Sequence, residues 1–159
     1  MSSSGELPLL DEHAVHAHAD PLRVWEAIPE GIEAAFGRTS SRALAGILGC
    51  RDRCATRPFA AVTGATVPGF RAVRVSSPRA LSLEGSHRFA SYALTFVVEP
   101  DDGGTMLRAV THAEFPGLRG AVYRAAVIGS GGHRIVTRRI LKSIARRAER
   151  AHSRRKEEE

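Results

Sequence analysis

Residues 127–147 read VIGSGGHRIVTRRILKSIARR, three glycines followed by a basic, periodic segment. Backbone N–H groups at the head of a helix attract anions, so a glycine-rich entry is a natural place for phosphate. The phosphate loop of nucleotide-hydrolysing proteins needs G-x-x-x-x-G-K-[ST], in which lysine and hydroxyl reach phosphate and magnesium. Here His133 follows Gly132 where the motif needs lysine, and the Lys142-Ser143 pair comes ten residues later, out of register with it. The dinucleotide fingerprint needs a third spaced glycine inside a strand–helix–strand unit, and that is missing too. The loop therefore reads as a flexible break before a closing helix, with no nucleotide cofactor.

The other chemistry-bearing side chains fall in short strand-like runs. His16 and His18 stand two apart and project from one side of a strand, while His13 projects from the other. A metal site needs three or four converging ligands, so these histidines are expected on a solvent face, without metal. EGSHRFASYALTF carries His87, Arg88 and Tyr92, THAEF carries His112 and Glu114, and VYR carries Tyr123 and Arg124. Arg88, Tyr92, Leu94 and Phe96 alternate onto nearly one face; Arg108, His112 and Glu114 share a face of the next strand. Lining a cavity, an Arg–Glu pair and a His would make a polar patch able to orient a ligand carbonyl or move a proton. Facing water, they would be surface pairs that contribute little. Leu107, Ala109, Ala113 and Phe115 make the opposite face more apolar, which favours the solvent side for His112 and Glu114. Tyr92 and Phe96 are expected inward. No G-x-S-x-G elbow is present, which argues against a serine hydrolase.

Cys50 and Cys54 are the only cysteines. They are too few for a disulfide framework or a zinc site and lack the redox Cys-x-x-Cys spacing. In a helix they would share one face as small packed residues. The formal net charge of +6 is confined to one end: residues 1–132 carry 13 cationic and 13 acidic side chains, whereas residues 133–159 carry 10 and 4. That terminal segment has no aromatic residue on which a base could stack. No specific nucleic-acid partner is expected, and at most peripheral contact with an anionic membrane. No secretory signal and no membrane-length apolar run is evident, so the chain is expected in the cytoplasm.

These residues must be positioned by a definite order of elements. Residues 1–9 read as a disordered tail, residues 10–152 as a single domain, and residues 153–159 as a charged tail that frays. Within the domain, DEHAVHAHAD alternates as a strand, with Val15, Ala17 and Ala19 on its apolar side. Asp20-Pro21 supplies a helix cap and first position. Pro29 and Gly31 are expected to interrupt that helix before IEAAF and SSRALAGILG resume it. Residues 70–77, 79–85, 87–99 and 104–115 read as strands separated by Pro78, Gly85-Ser86 and PDDGG. Such short connections favour antiparallel neighbours. LRGAVYRAAVI (118–128) reads as a helix. In the last helix Val136, Ile140, Ile144 and Ala148 recur every four residues, widened by Leu141 and Ala145, with Arg138, Arg139, Lys142, Arg146 and Arg150 opposite. An apolar sheet face and an apolar helix stripe are most simply buried against each other.

The strand running into ADPLRVWEAI, the meander GFRAV…LSLEGSHRFASYALTFVVEP…TMLRAVTHAEFPG and the finish YR…GGHRIVTRRILKSIARRAE resemble the START-like, helix-grip superfamily known as SRPBCC, which includes polyketide cyclases. The resemblance covers about residues 10–150. It implies an α+β helix-grip fold: a curved antiparallel sheet wrapped around a long C-terminal helix, short helices after the first strand, and a cavity between sheet and helix. It also implies binding of a hydrophobic, lipid-like or polyketide-like molecule there. The cavity candidates are Arg88, Tyr92, Phe96, Thr111, Phe115, Tyr123, Ile140 and Ile144, with His112 and Glu114 as a polar patch. Two alternatives stand beside binding: a cyclase- or dehydratase-type enzyme acting on a bound ketone, and a membrane-surface or interaction protein using the basic helix. No cofactor is implied, and no oligomeric state is set.

Overall fold

The computed structural model of the chain describes residues 7–158, the Ser40 side chain excepted; residues 1–6 of the expected tail lie outside them. Strand β1 (Leu9–Ala17) leads into helix α1 (Pro21–Phe36), and α2 (Thr39–Leu48) follows. Five further strands come next: β2 (Thr66–Val67), β3 (Phe70–Ser76), β4 (Ala80–His87), β5 (Ala90–Asp101) and β6 (Gly104–Glu114). Helices α3 (Gly117–Val127) and α4 (Gly132–Glu158) complete the chain. The strands form one antiparallel sheet in the order β1-β6-β5-β4-β3-β2, so β1 returns to close the far edge beside β6. This is the α+β helix-grip fold, with α4 laid against the inner face near β1 and β6 and braced by α1.

Local chemistry sets the element ends. The Asp20 carboxylate accepts the Arg23 N–H at 3.0 Å, and Pro21 occupies the first turn, where its missing N–H costs nothing. α1 differs from expectation in running unbroken through Pro29 and Gly31. Burial of Val24, Trp25, Ile28 and Ile32 on the core outweighs the backbone group lost at Pro29. Gly31 is the point of closest approach to α4: a Cβ there would overlap the Ile144 side chain. α4 runs on through the segment expected to fray, its residues 153–158 all exposed.

On the inner sheet face the side chains stand in cross-strand rows. Val98, Leu107 and Val15 form one row, and Leu81, Phe96, Ala109 and His13 the next. Large side chains fill both rows, and Leu81, Phe96, Leu107 and Ala109 have no exposure. With Ile144, Leu141, Ile28 and Val24 they make the dry core. Beyond them the face changes character. The third row is Leu83, Leu94, Thr111 and Asp11; the fourth is Gly85, Tyr92 and Ala113. Leu83 and Leu94 continue the aliphatic face, but Thr111, Gly85 and Ala113 bring small and hydroxyl-bearing residues in beside them, and here a pocket opens between sheet and α4.

Candidate functional site

The gap at that end is a pocket of about 480 Å³, within the range of about 300–1,000 Å³ usual for small-molecule sites. Its floor is Leu94, Thr111, Tyr92 and Ala113 from the sheet, and one wall is Val136, Thr137 and Ile140 from α4. Helix α2 contributes Leu44, Ala45 and Leu48, and α3 with its following turn contributes Tyr123, Val127 and Ile128. Leu44 and Val136 line the interior and are also half-exposed, so they mark the mouth.

Six rings follow one another around the pocket: Phe36, Phe70, Tyr92, His87, Tyr123 and Phe115. Their successive centroid separations are 4.9, 5.1, 5.5, 4.8 and 6.3 Å. Edge-to-face and tilted pairs at such distances are favourable, because the positive ring edge meets the negative face. Tyr92 is placed by its neighbours. It lies across Gly85, where a Cβ would overlap both the Tyr92 ring and the Gly69 carbonyl, and its hydroxyl donates to that carbonyl at 2.8 Å. Gly69 has φ +93, a conformation glycine adopts without strain.

Burial disfavours the charged forms of two phenols and one imidazole in the pocket. Burial raises the Tyr92 phenol well above its ordinary range, and the Cys50 thiol 3.9 Å from its oxygen adds to the rise. Tyr123 is raised by the same causes, burial first. Burial lowers the imidazole of His87, which disfavours its cation. His87 Nδ1 accepts the Phe89 N–H at 3.1 Å, so in the neutral ring Nε2 carries the hydrogen and is the free donor. Thr137 is already committed, donating to the His133 carbonyl at 2.9 Å. Thr111 is different: it is buried, and its hydroxyl oxygen has no hydrogen-bond partner. At the α4 end the Asp11 carboxylate stands 3.1 Å from His13 Nε2 and 3.3 Å from His133 Nε2, tying the start of α4 to β1.

The expected site residues divide cleanly. Tyr92, Thr111, Phe115, Tyr123 and Ile140 line the pocket together. Arg88 does not: it sits exposed in the β4–β5 turn, because the hairpin reverses after His87 and ends the alternation there. Phe96 and Ile144 point inward but into the filled core, two rows from Tyr92 and against Gly31 respectively. His112 and Glu114 lie on the outer sheet face, opposite Thr111 and Ala113, and Arg108 beside them bridges Glu12 at 3.0 Å and Glu99 at 2.8 Å. His16 reaches the Asp102 carbonyl at 3.2 Å, on the strand side opposite His13. Among the described residues no group of three His, Cys, Asp or Glu side chains is arranged to hold a metal ion. The CRDRC segment is not helical: Gly49 caps α2 with φ 72, leaving Cys50 buried at the pocket and Cys54 exposed.

Sequence reasoning passed over His87, Cys50 and His133 as site residues. His87 carried a usable signal: in a tight hairpin it pairs with Ala90, which lies two residues before Tyr92 on the same face. Cys50 and His133 carried none, because their places depend on where α2 and α4 dock. The glycine-rich segment is the hinge between α3 and α4: Gly131 has φ +76, and Gly132 and His133 edge the pocket.

Fold and site together define a helix-grip fold whose pocket is ringed by aromatic side chains and, among the described residues, lined by no Lys, Arg, Asp or Glu. No protein-family model matches the chain, and no curated protein does. Solved structures do match its fold. An uncharacterized protein of Rhizobium leguminosarum superposes with TM-score 0.57 at 16% identity, covering 91% of this chain and 96% of its own. A Mesorhizobium loti protein gives TM-score 0.53 at 15% identity over 88% and 96%. A Bacillus halodurans protein gives 0.51 at 20% over 87% and 99%. At these identities the likeness speaks to the fold alone. Among the described residues no helix is long and apolar enough to cross a membrane.

Proposed function

We propose that this chain is a START-like binding protein of the SRPBCC type that holds an apolar, ring-containing small molecule between its sheet and α4. The observation that carries the reading is the run of six rings around a largely apolar pocket. Five of the chain's nine Phe, Tyr and Trp residues are gathered there with His87. Flat unsaturated ligands gain offset and edge contacts from such walls that saturated chains do not. No Lys, Arg, Asp or Glu side chain lines the pocket among the described residues, which suits a neutral ligand, since an unpaired buried charge is costly. The His87 Nε2–H and the Thr111 hydroxyl are the groups able to fix one or two ligand oxygens. The ketone-polarising enzyme alternative loses support, because Arg88, His112 and Glu114 all lie outside the pocket and the Tyr92 hydroxyl is held by Gly69.

The test is fluorescence titration with three probe sets: aromatic polyketides, sterols and saturated fatty acids. Polycyclic aromatic probes are expected to bind at least about tenfold more tightly than saturated chains of equal size. Ala113→Trp, which fills the pocket floor, is expected to abolish uptake. Failure of every probe to bind would refute the reading.

A further inference from the structure

Three elements frame the pocket mouth: α2, α3 and the first turns of α4. Their charge is one-sided. Residues 39–48, 117–127 and 132–142 together carry seven Lys or Arg and no Asp or Glu, although the chain as a whole has 23 and 17. The rest of the chain carries 16 and 17, so its cationic excess lies in these three segments.

The same elements expose apolar side chains. Among the described residues nine large hydrophobic side chains are exposed, and six belong here: Leu44 and Ile47 on α2, Leu118 and Val122 on α3, Ile135 and Val136 on α4. Leu118 and Val122 are 83% and 64% exposed. They stand four apart on one side of their helix, with Arg119 and Arg124 beside them. α3 buries only Gly120, so this face has no partner within the fold.

Cations interleaved with aliphatic residues on short helices are the composition of an interfacial surface: the aliphatic groups enter the headgroup boundary and the cations meet anionic lipid. We infer that the mouth face docks on an anionic membrane surface through α2, α3 and the start of α4. Nucleic acid fits less well, since the six exposed apolar groups are all aliphatic and offer no ring for base stacking. An acidic protein would match the charge, but the apolar groups lie on three separate helices that frame an opening and present no single groove. The inference concerns the outside of the mouth and holds whether or not the pocket takes the ligand class proposed above.

Vesicle flotation tests it, with the full chain and vesicles of phosphatidylcholine alone or mixed with phosphatidylglycerol. Binding is expected only to the anionic vesicles and is expected to weaken when salt rises from about 0.1 to about 0.5 M. The double substitution Leu118→Ser/Val122→Ser is expected to weaken it roughly tenfold or more, and Ile47→Ser to act in the same direction. Leu22→Ser, an exposed leucine on α1, is expected to change nothing. Thermal melts of the variants should match the parent, because these side chains touch little. No binding to anionic vesicles would overturn the inference. So would equal binding to neutral vesicles, or a Leu22→Ser loss as large as that of the α3 pair. Tighter binding to a DNA duplex or an acidic protein that survives the α3 substitutions would also overturn it, assigning the face to that partner. Aromatic-probe uptake in vesicle-free solution is read separately, so failure of docking and failure of the pocket reading are distinguishable.

Discussion

Thr111 and Thr105 make a matched pair on one face of β6, and replacing each with valine separates a satisfied hydroxyl from an orphan. Both are buried, at 5% and 0% exposure. Thr105 donates to the Ala19 carbonyl at 2.8 Å, whereas the Thr111 oxygen has no partner. Valine has nearly the same shape, so the difference isolates the hydroxyl. An unsatisfied buried polar group costs about 1–3 kcal/mol, so Thr111→Val is expected to stabilise the ligand-free protein by about 1–2 kcal/mol. For a domain of this length that raises Tm by about 3–6 °C. Thr105→Val removes a made hydrogen bond and strands a carbonyl, and is expected to destabilise by about 1–3 kcal/mol. Urea and thermal unfolding of the two variants beside the parent measure both. Destabilisation by Thr111→Val would refute the reasoning: the hydroxyl would then have a partner in solution, a water held in the pocket being the obvious one. The same variant is expected to lose affinity for oxygen-bearing ligands while keeping it for their hydrocarbon analogues.

Other outcomes follow from single contacts. Gly31→Ala forces a Cβ into Ile144 at the α1–α4 contact and is expected to cost about 1–3 kcal/mol by overpacking, read by urea unfolding. Gly120→Ala drives a Cβ against the Phe115 and Phe89 carbonyl groups; faster hydrogen exchange confined to residues 117–127 would show α3 lifting away. His87 has its proton affinity lowered by burial in the fold, so below about pH 6.5 the unfolded chain binds the proton more readily and stability falls. Tm measured from pH 8 to 5 is expected to drop less in His87→Gln than in the parent, and equal slopes would exclude His87 as the cause.

Much of the architecture was legible in the residues themselves. Strand alternation in β3 to β6, the Asp20-Pro21 cap and the four-residue repeat of Ile140, Ile144 and Ala148 are local patterns. Each reports the backbone geometry that will bury it. The inward facing of Tyr92 followed from the same alternation, which favoured the outer face for His112 and Glu114 but left them open as a polar patch in the cavity. What alternation cannot report is how far along a face the core extends. Phe96 and Tyr92 share a face, yet one sits in the filled core and the other in the pocket, because α1 and α4 cover only part of the sheet.

By itself, then, the amino-acid order determined the α+β class, the succession of elements and which side of each strand is apolar, since those depend on neighbours a few residues apart. Only the tertiary packing decided that α1 would pass through Pro29 and Gly31, that Arg88 would fall in a turn, and that Cys50, His87, Thr111 and His133 would meet at one end of the sheet. Those outcomes depend on contacts between residues far apart in the chain. There the free energy of burying a whole face outweighs any preference a local segment expresses.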